Sequence, residues 1–157
     1  IVLDAAANSN VIIAVSSDDA AAASVDLASV SFDNTNWNVA QTITVTGEQD
    51  DDLNDESVTI TATINDAVSD DNFDVLADQT VTATITDDEA AGFTLSNTTI
   101  ATAEGSTTIF TIVLDAAPNS NVTIAISSDD AAAASVDLAN VSFDNTNYHR
   151  DNQRCDK

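Results

Sequence analysis

Apolar residues recur at every second position along most of this chain, which is the periodicity of strands with one buried face. In QTITVTG (41–47), Ile43 and Val45 alternate with Thr42, Thr44 and Thr46. SVTITATIN (57–65) puts Val58, Ile60, Ala62 and Ile64 on one face, and QTVTATIT (79–86) does the same with Val81, Ala83 and Ile85. NVTIAIS (121–127) offers Val122, Ile124 and Ile126. Phe93 and Leu95 begin another strand, Phe110, Ile112 and Leu114 line a further one, and VSFD at 30–33 and 141–144 is short. The strands are rich in Val, Ile and Thr, whose branched side chains suit a pleated surface, and Asp/Asn/Ser-rich turns separate them. DDAAAASVDLA could make a helical turn, but it is short and lies between strands, so it reads as a loop. The pattern predicts an all-β chain of antiparallel sheets.

Self-comparison organises these strands. Residues 1–37 return as 112–148, offset by 111, with five differences: Ala7/Pro118, Ile12/Thr123, Val15/Ile126, Ser29/Asn140 and Trp37/Tyr148. That period is too long for a solenoid repeat or a propeller blade and suits an array of whole sandwiches. About seven strands per period predict immunoglobulin-like antiparallel β-sandwich modules in tandem. Each is incomplete here. Residues 1–89 are expected to be the C-terminal part of one module, and 90–148 the N-terminal part of the next. The stretch 149–157, HRDNQRCDK, breaks from everything before it and reads as an atypical tail.

Charge changes the picture more than composition does. The chain carries 27 acidic residues against 3 basic ones, a net charge of −24. All three basic residues, with the one His and the one Cys, lie at 149–157. Since only Asp151 and Asp156 fall there, residues 1–148 hold 25 acids and no Lys, Arg, His or Cys. Such a surface repels phosphate, which argues against nucleic acid and anionic membranes as partners. No run approaches the ~18 apolar residues of a membrane-spanning helix. The missing residue types also argue against an enzyme. There is no nucleophile–base pair, phosphate clamp or imidazole before residue 149.

GEQDDDLNDES (47–57) concentrates the charge, with Glu48, Asp50, Asp51, Asp52, Asp55 and Glu56 close together. Unit charges ~4 Å apart repel by about 1 kcal/mol even in water. With no basic side chain available, relief is expected from solution. Clustered carboxylates suit a hard cation. The absence of His and Cys removes the usual zinc and copper ligands. Ca²⁺ tolerates irregular shells of oxygen ligands better than Mg²⁺ does, so Ca²⁺ is the expected ion. If 57–65 pairs antiparallel with 79–86, the chain returns to the same end of the sandwich at Asp87, Asp88 and Glu89, at the junction with the next module. The bland alternative is a solvated acidic surface suited to high salt.

Several stretches resemble the Calx-beta module: VTATITDDEAAGFTL (81–95), AEGSTTIFTIVL (103–114) and VTGEQDDDLNDESVTI (45–60). TNWNVAQTITVTGEQDD (35–51) looks like the tandem versions found in large bacterial surface and adhesin proteins. The resemblance covers nearly all of 1–148. It implies a seven-stranded sandwich binding Ca²⁺ at one pole through an acidic loop, a terminal acidic run and an early Glu. Carried onto this sequence, those metal ligands are Asp50, Asp51, Asp52, Asp55, Glu56, Asp87, Asp88 and Glu104. Asp19 or Asp26 is a candidate for a further ligand. Glu104 belongs to the second module and the acidic loop to the first, so neither module carries a whole set.

Together these readings give the expectation of a non-enzymatic, extracellular, Ca²⁺-binding structural or adhesive repeat of a large cell-surface protein. Its partners would be neighbouring copies of the module and a cell-surface or matrix ligand. The alternative is a self-assembling extracellular filament subunit, joined by β-strand complementation between incomplete modules.

Overall fold

A computed structural model describes residues 1–144, together with the backbone of the short strand Gln153–Arg154. Tyr148 and the rest of the atypical tail at 149–157 lie outside the described residues. Eleven strands follow one another: β1 (Val11–Ser17), β2 (Ala23–Val25), β3 (Ser29–Phe32), β4 (Val45–Gly47), β5 (Glu56–Ile64), β6 (Gln79–Ile85), β7 (Phe93–Leu95), β8 (Thr111–Leu114), β9 (Val122–Ala125), β10 (Asn140–Phe143) and β11 (Gln153–Arg154). All pair antiparallel, and no helix occurs among the described residues. The all-β expectation therefore holds, and the packing is consistent with β-sandwich architecture. The chain divides into two compact units, one of Ile1–Asp50 with Asp55–Thr86, the other of Asp51–Asn54 with Asp87–Lys157.

In the first unit, a four-stranded sheet runs in the order β3-β1-β5-β6, and a separate ribbon pairs β2 with β4. Alternation decides which side chains go inside. Val11, Ile13 and Val15 of β1, Val30 and Phe32 of β3, and Val58 and Ile60 of β5 are buried. They pack with Leu3, Ala7, Ala22 and Ala23, and Ile43 adjoins both halves of this core. Trp37 packs against the cluster around Phe32. The segment read as a loop is only partly one. Asp19 ends β1's turn by accepting the Ala21 and Ala22 amides at 3.0 and 3.3 Å, but Ala23–Val25 then pairs with Val45–Gly47. A three-residue strand within an alanine run has no periodicity of its own and exists because a distant partner supplies its ladder.

In the second unit, the sheet β11-β8-β7 and the hairpin β9–β10 enclose Ile112, Leu114, Val141 and Phe143. The repeated sequence folds the same hairpin twice. Val11 faces Phe32 and Ile13 faces Val30; Val122 faces Phe143 and Ile124 faces Val141. Even the flanking bonds recur at 2.9 Å, Val15 N–H to the Ala28 carbonyl and Ile126 N–H to the Ala139 carbonyl. Asp130 caps its turn as Asp19 does, accepting the Ala132 and Ala133 amides. The counterpart of β2 forms no strand among the described residues.

Candidate metal centre

The strands decide where the acidic segments lie. β5 pairs with β6 so that Glu56 faces Ile85 and Ala62 faces Gln79. The acidic loop therefore enters β5 at the sheet end where β6 delivers the chain toward Asp87, as the expected pairing requires. Glu48 is held at the start of the loop. Its N–H donates to the Ala22 carbonyl at 2.9 Å, and its carboxylate accepts from the Ser24 hydroxyl. At the loop's tip, Asp52 Oδ1 accepts the Asn54 amide and side-chain N–H, both at 2.7 Å, which closes a tight turn. Ala117 N–H donates to the Asp51 carbonyl at 2.6 Å, and the side chains of Asn54 and Asn119 exchange hydrogen bonds at 3.3 and 3.0 Å.

Among the described residues, carboxylates gather into two groups. Asp50, Asp52 and Glu56 bring oxygen atoms within 4.8 Å of one another, and so do Asp87, Asp88 and Glu89. Oxygens at that spacing can share one hard cation, which normally sits 2.3–2.6 Å from each ligand if it is Ca²⁺. Asp52 and Glu56 are half-buried, as are Asp87 and Glu89, while Asp50 and Asp88 are exposed. The donor set is all carboxylate oxygen, which fits a divalent cation such as Ca²⁺ and offers nothing to a soft metal.

The second group shows what like charges do without a counter-ion. Glu89's carboxyl is raised to about 7, first by its hydrogen bond with Asp87, then by desolvation and by Asp88. Asp87 is lowered, chiefly because the Glu89 side chain donates to it, helped by the Glu89 N–H at 3.0 Å. The pair thus holds one proton between two carboxylates near neutral pH, a way of reducing repulsion where no basic side chain is present. A cation seated there competes for the same oxygens.

The expected ligands divide accordingly. Asp50, Asp52, Glu56, Asp87 and Asp88 fall in the two groups, and Asp51 and Asp55 lie in the loop outside the first. Glu104 occupies an exposed turn closed by Ser106 N–H on the Ala103 carbonyl, with Gly105 at a φ of 77°. The position after Glu104 needs a left-handed residue, which is why glycine follows it. Asp19 caps its turn, and Asp26 accepts the Thr44 N–H at 2.8 Å, which lowers its carboxyl below the ordinary range. Both are committed to the backbone of the first unit.

Glu89 was not among the expected ligands, though it adjoins two that were. Asp70 was missed altogether. It is 4% exposed, and its carboxylate ties residues 8–9 to the segment beyond β5. No feature of SDDNFDV separates it from Asp71 or Asp74, because its role depends on which amides fold against it. Neither family models, nor curated proteins, nor solved structures give a match to this chain.

Proposed function

We propose that this chain is a non-enzymatic, Ca²⁺-binding structural or adhesive repeat of a large extracellular surface protein, built of Calx-beta-like, immunoglobulin-like modules in tandem. The observation that carries the reading is the pair of three-carboxylate groups, formed where no basic side chain lies within the first 148 residues. Repulsion of this kind is relieved by divalent counter-ions, which are abundant outside cells. Affinity is expected in the roughly 10⁻⁴–10⁻³ M range of extracellular modules. Recurrence of one hairpin in one register supports an array, in which neighbouring copies of the module are the first partners and a cell-surface or matrix ligand the second. No helix of the described residues is long and apolar enough to cross a membrane. Phosphate-bearing partners are disfavoured by the net charge of −24.

Calorimetric titration with CaCl₂ tests the reading. Saturable binding to the wild type, lost in a D50N/D52N variant, supports it. Heats that do not saturate, or that the variant reproduces, leave a solvated acidic surface.

The second reading is a self-assembling filament subunit joined by strand complementation. It is favoured by a separate observation, an open apolar cleft over the sheet of the first unit.

A further inference from the structure

We propose that Asn121 and Asn140 are acceptors for N-linked sugar, transferred from a carrier that holds the sugar as a diphosphate ester. The inference rests on the extracellular part of the reading above and on none of its metal chemistry.

The two versions of the 37-residue repeat differ at five positions, and two of those differences bear on asparagine. The first version reads Asn10-Val11-Ile12 and Ser29-Val30-Ser31. The second reads Asn121-Val122-Thr123 and Asn140-Val141-Ser142. Thr123 supplies a hydroxyl two residues beyond an asparagine, and Asn140 supplies an asparagine two residues before a hydroxyl. Each change on its own completes the Asn-x-Ser/Thr acceptor spacing, which the first version lacks at both places. A composition rich in Asn and Thr is common to both versions, so composition alone does not produce the contrast.

The spacing has a physical basis. In an extended chain, residues i and i+2 point to one side, so an amide and the hydroxyl that follows it are presented together. Asn121, Thr123, Asn140 and Ser142 are all exposed, on the outward side of the β9–β10 hairpin. The residues between them turn inward: Val141 is buried, and Val122 packs against the same cluster. Thr123 and Ser142 face each other, with their hydroxyls 3.0 Å apart. Asn140 faces Ala125, four residues beyond Asn121, which sets the two asparagines roughly 14 Å apart along the hairpin. Neither asparagine side chain takes a hydrogen bond among the described residues, so neither is engaged in holding the fold. Asn36, Asn54 and Asn72, by contrast, use their side chains to close turns. The same outward positions are open in the first unit. Asn10, Ser29 and Ser31 are exposed although β5 pairs with β1 there, so the outward aspect belongs to the hairpin itself.

In the transfer, the asparagine side-chain nitrogen forms a bond to C1 of the sugar. The bond from C1 to the diphosphate oxygen breaks, and the carrier leaves with that electron pair. One amide proton passes to the transferase, and nothing is oxidised or reduced. The step takes place on the extended chain, before the ladder closes. The folded hairpin then leaves both sugars in solvent, where they add bulk and solubility to its outward face.

Mass spectrometry of the full chain tests the assignment, after export from a host whose transferases act on Asn-x-Ser/Thr, with a proven acceptor peptide appended as a control. The intact mass is expected to exceed the sequence mass by whole sugar residues. Peptides cut at aspartate should place the sugar on Asn121 and Asn140, with Asn10 bare. Thr123→Ile should leave Asn121 bare and Asn140 modified, and Ser142→Ala should do the reverse. Isoleucine is what the first version carries at that place, and Ser142 is exposed, so both variants keep the fold. Conversely, Ile12→Thr should bring sugar to Asn10, and Ser29→Asn should bring it to position 29. Bare Asn121 and Asn140 in a chain whose control peptide is modified overturn the proposal, as does sugar that persists on Asn121 in Thr123→Ile. A chain that binds Ca²⁺ and stays bare loses this inference alone, and one that carries sugar without binding Ca²⁺ loses the metal reading alone.

Discussion

Asp70 is the residue on which the first unit's loops depend most directly. Its Oδ2 accepts the Asn8 and Ser9 amides at 2.6 and 3.1 Å, and its Oδ1 accepts the Asn72 amide and side-chain N–H at 3.0 and 2.7 Å. These bonds favour the charged form, led by those from the Asn72 and Asn8 backbone, and hold its carboxyl below the ordinary value. A group whose folded pKa is depressed stabilises the fold above its unfolded pKa and loses that contribution as pH falls through the folded one. Asp70's own contribution to the melting temperature should therefore be lost on acidification below the ordinary carboxylate range. Asp70→Asn should melt lower than the wild type at pH 7, and the gap between them should narrow over that interval, while exposed Asp71→Asn should follow the wild type. Melting curves from pH 7 down to pH 3 check this, and equal slopes for wild type and Asp70→Asn would refute it. The acid clusters were legible as density, since six carboxylates near residue 50 can hardly avoid one another. Asp70 was not, because its value comes from donors about sixty residues earlier.

Among the elements, the hairpins β1–β3 and β9–β10 were the most legible, because period-2 alternation and a 37-residue repeat both specify them. The inward face of β5 was equally clear in Val58, Ile60, Ala62 and Ile64. β2 was not, since its ladder partner lies twenty residues on and its own three residues carry no pattern. Glu104 was singled out by resemblance alone, and the local chemistry around it is that of a turn. Phe32 is fully buried where β3 meets Leu3, Val11 and Ile13. Phe32→Ala should cost about 3–5 kcal/mol by urea unfolding, a loss that includes the cavity it leaves. Its counterpart Phe143 is equally enclosed, at 2% exposed, so Phe143→Ala should cost the second unit a similar amount. Hydrogen exchange separates the two: each substitution should raise exchange in its own hairpin first.

For the whole molecule, the question is how a net charge of −24 is carried by a fold with a small core. Binding of Ca²⁺ to the folded chain alone, at ten times the dissociation constant, stabilises by about 1.4 kcal/mol. For a chain of this length, that is a rise of about 3–6 °C in melting temperature. EGTA should reverse the rise, and D50N/D52N should blunt it. Sodium chloride at the same ionic strength should give a smaller shift, since screening acts on all exposed charges alike and does not bridge particular carboxylates. Equal shifts with sodium and calcium would count against specific sites.

The recurrence of one hairpin in one register has a consequence for how such a protein changes over generations. Any crossover inside the matched stretch, between a codon in 1–37 and its equivalent in 112–148, rebuilds the same ladder with at most five altered side chains. The gene can therefore gain or lose whole 111-residue lengths without creating a novel seam that must be shown to fold, so chain length is free to vary in steps of that size while the hairpin stays the same.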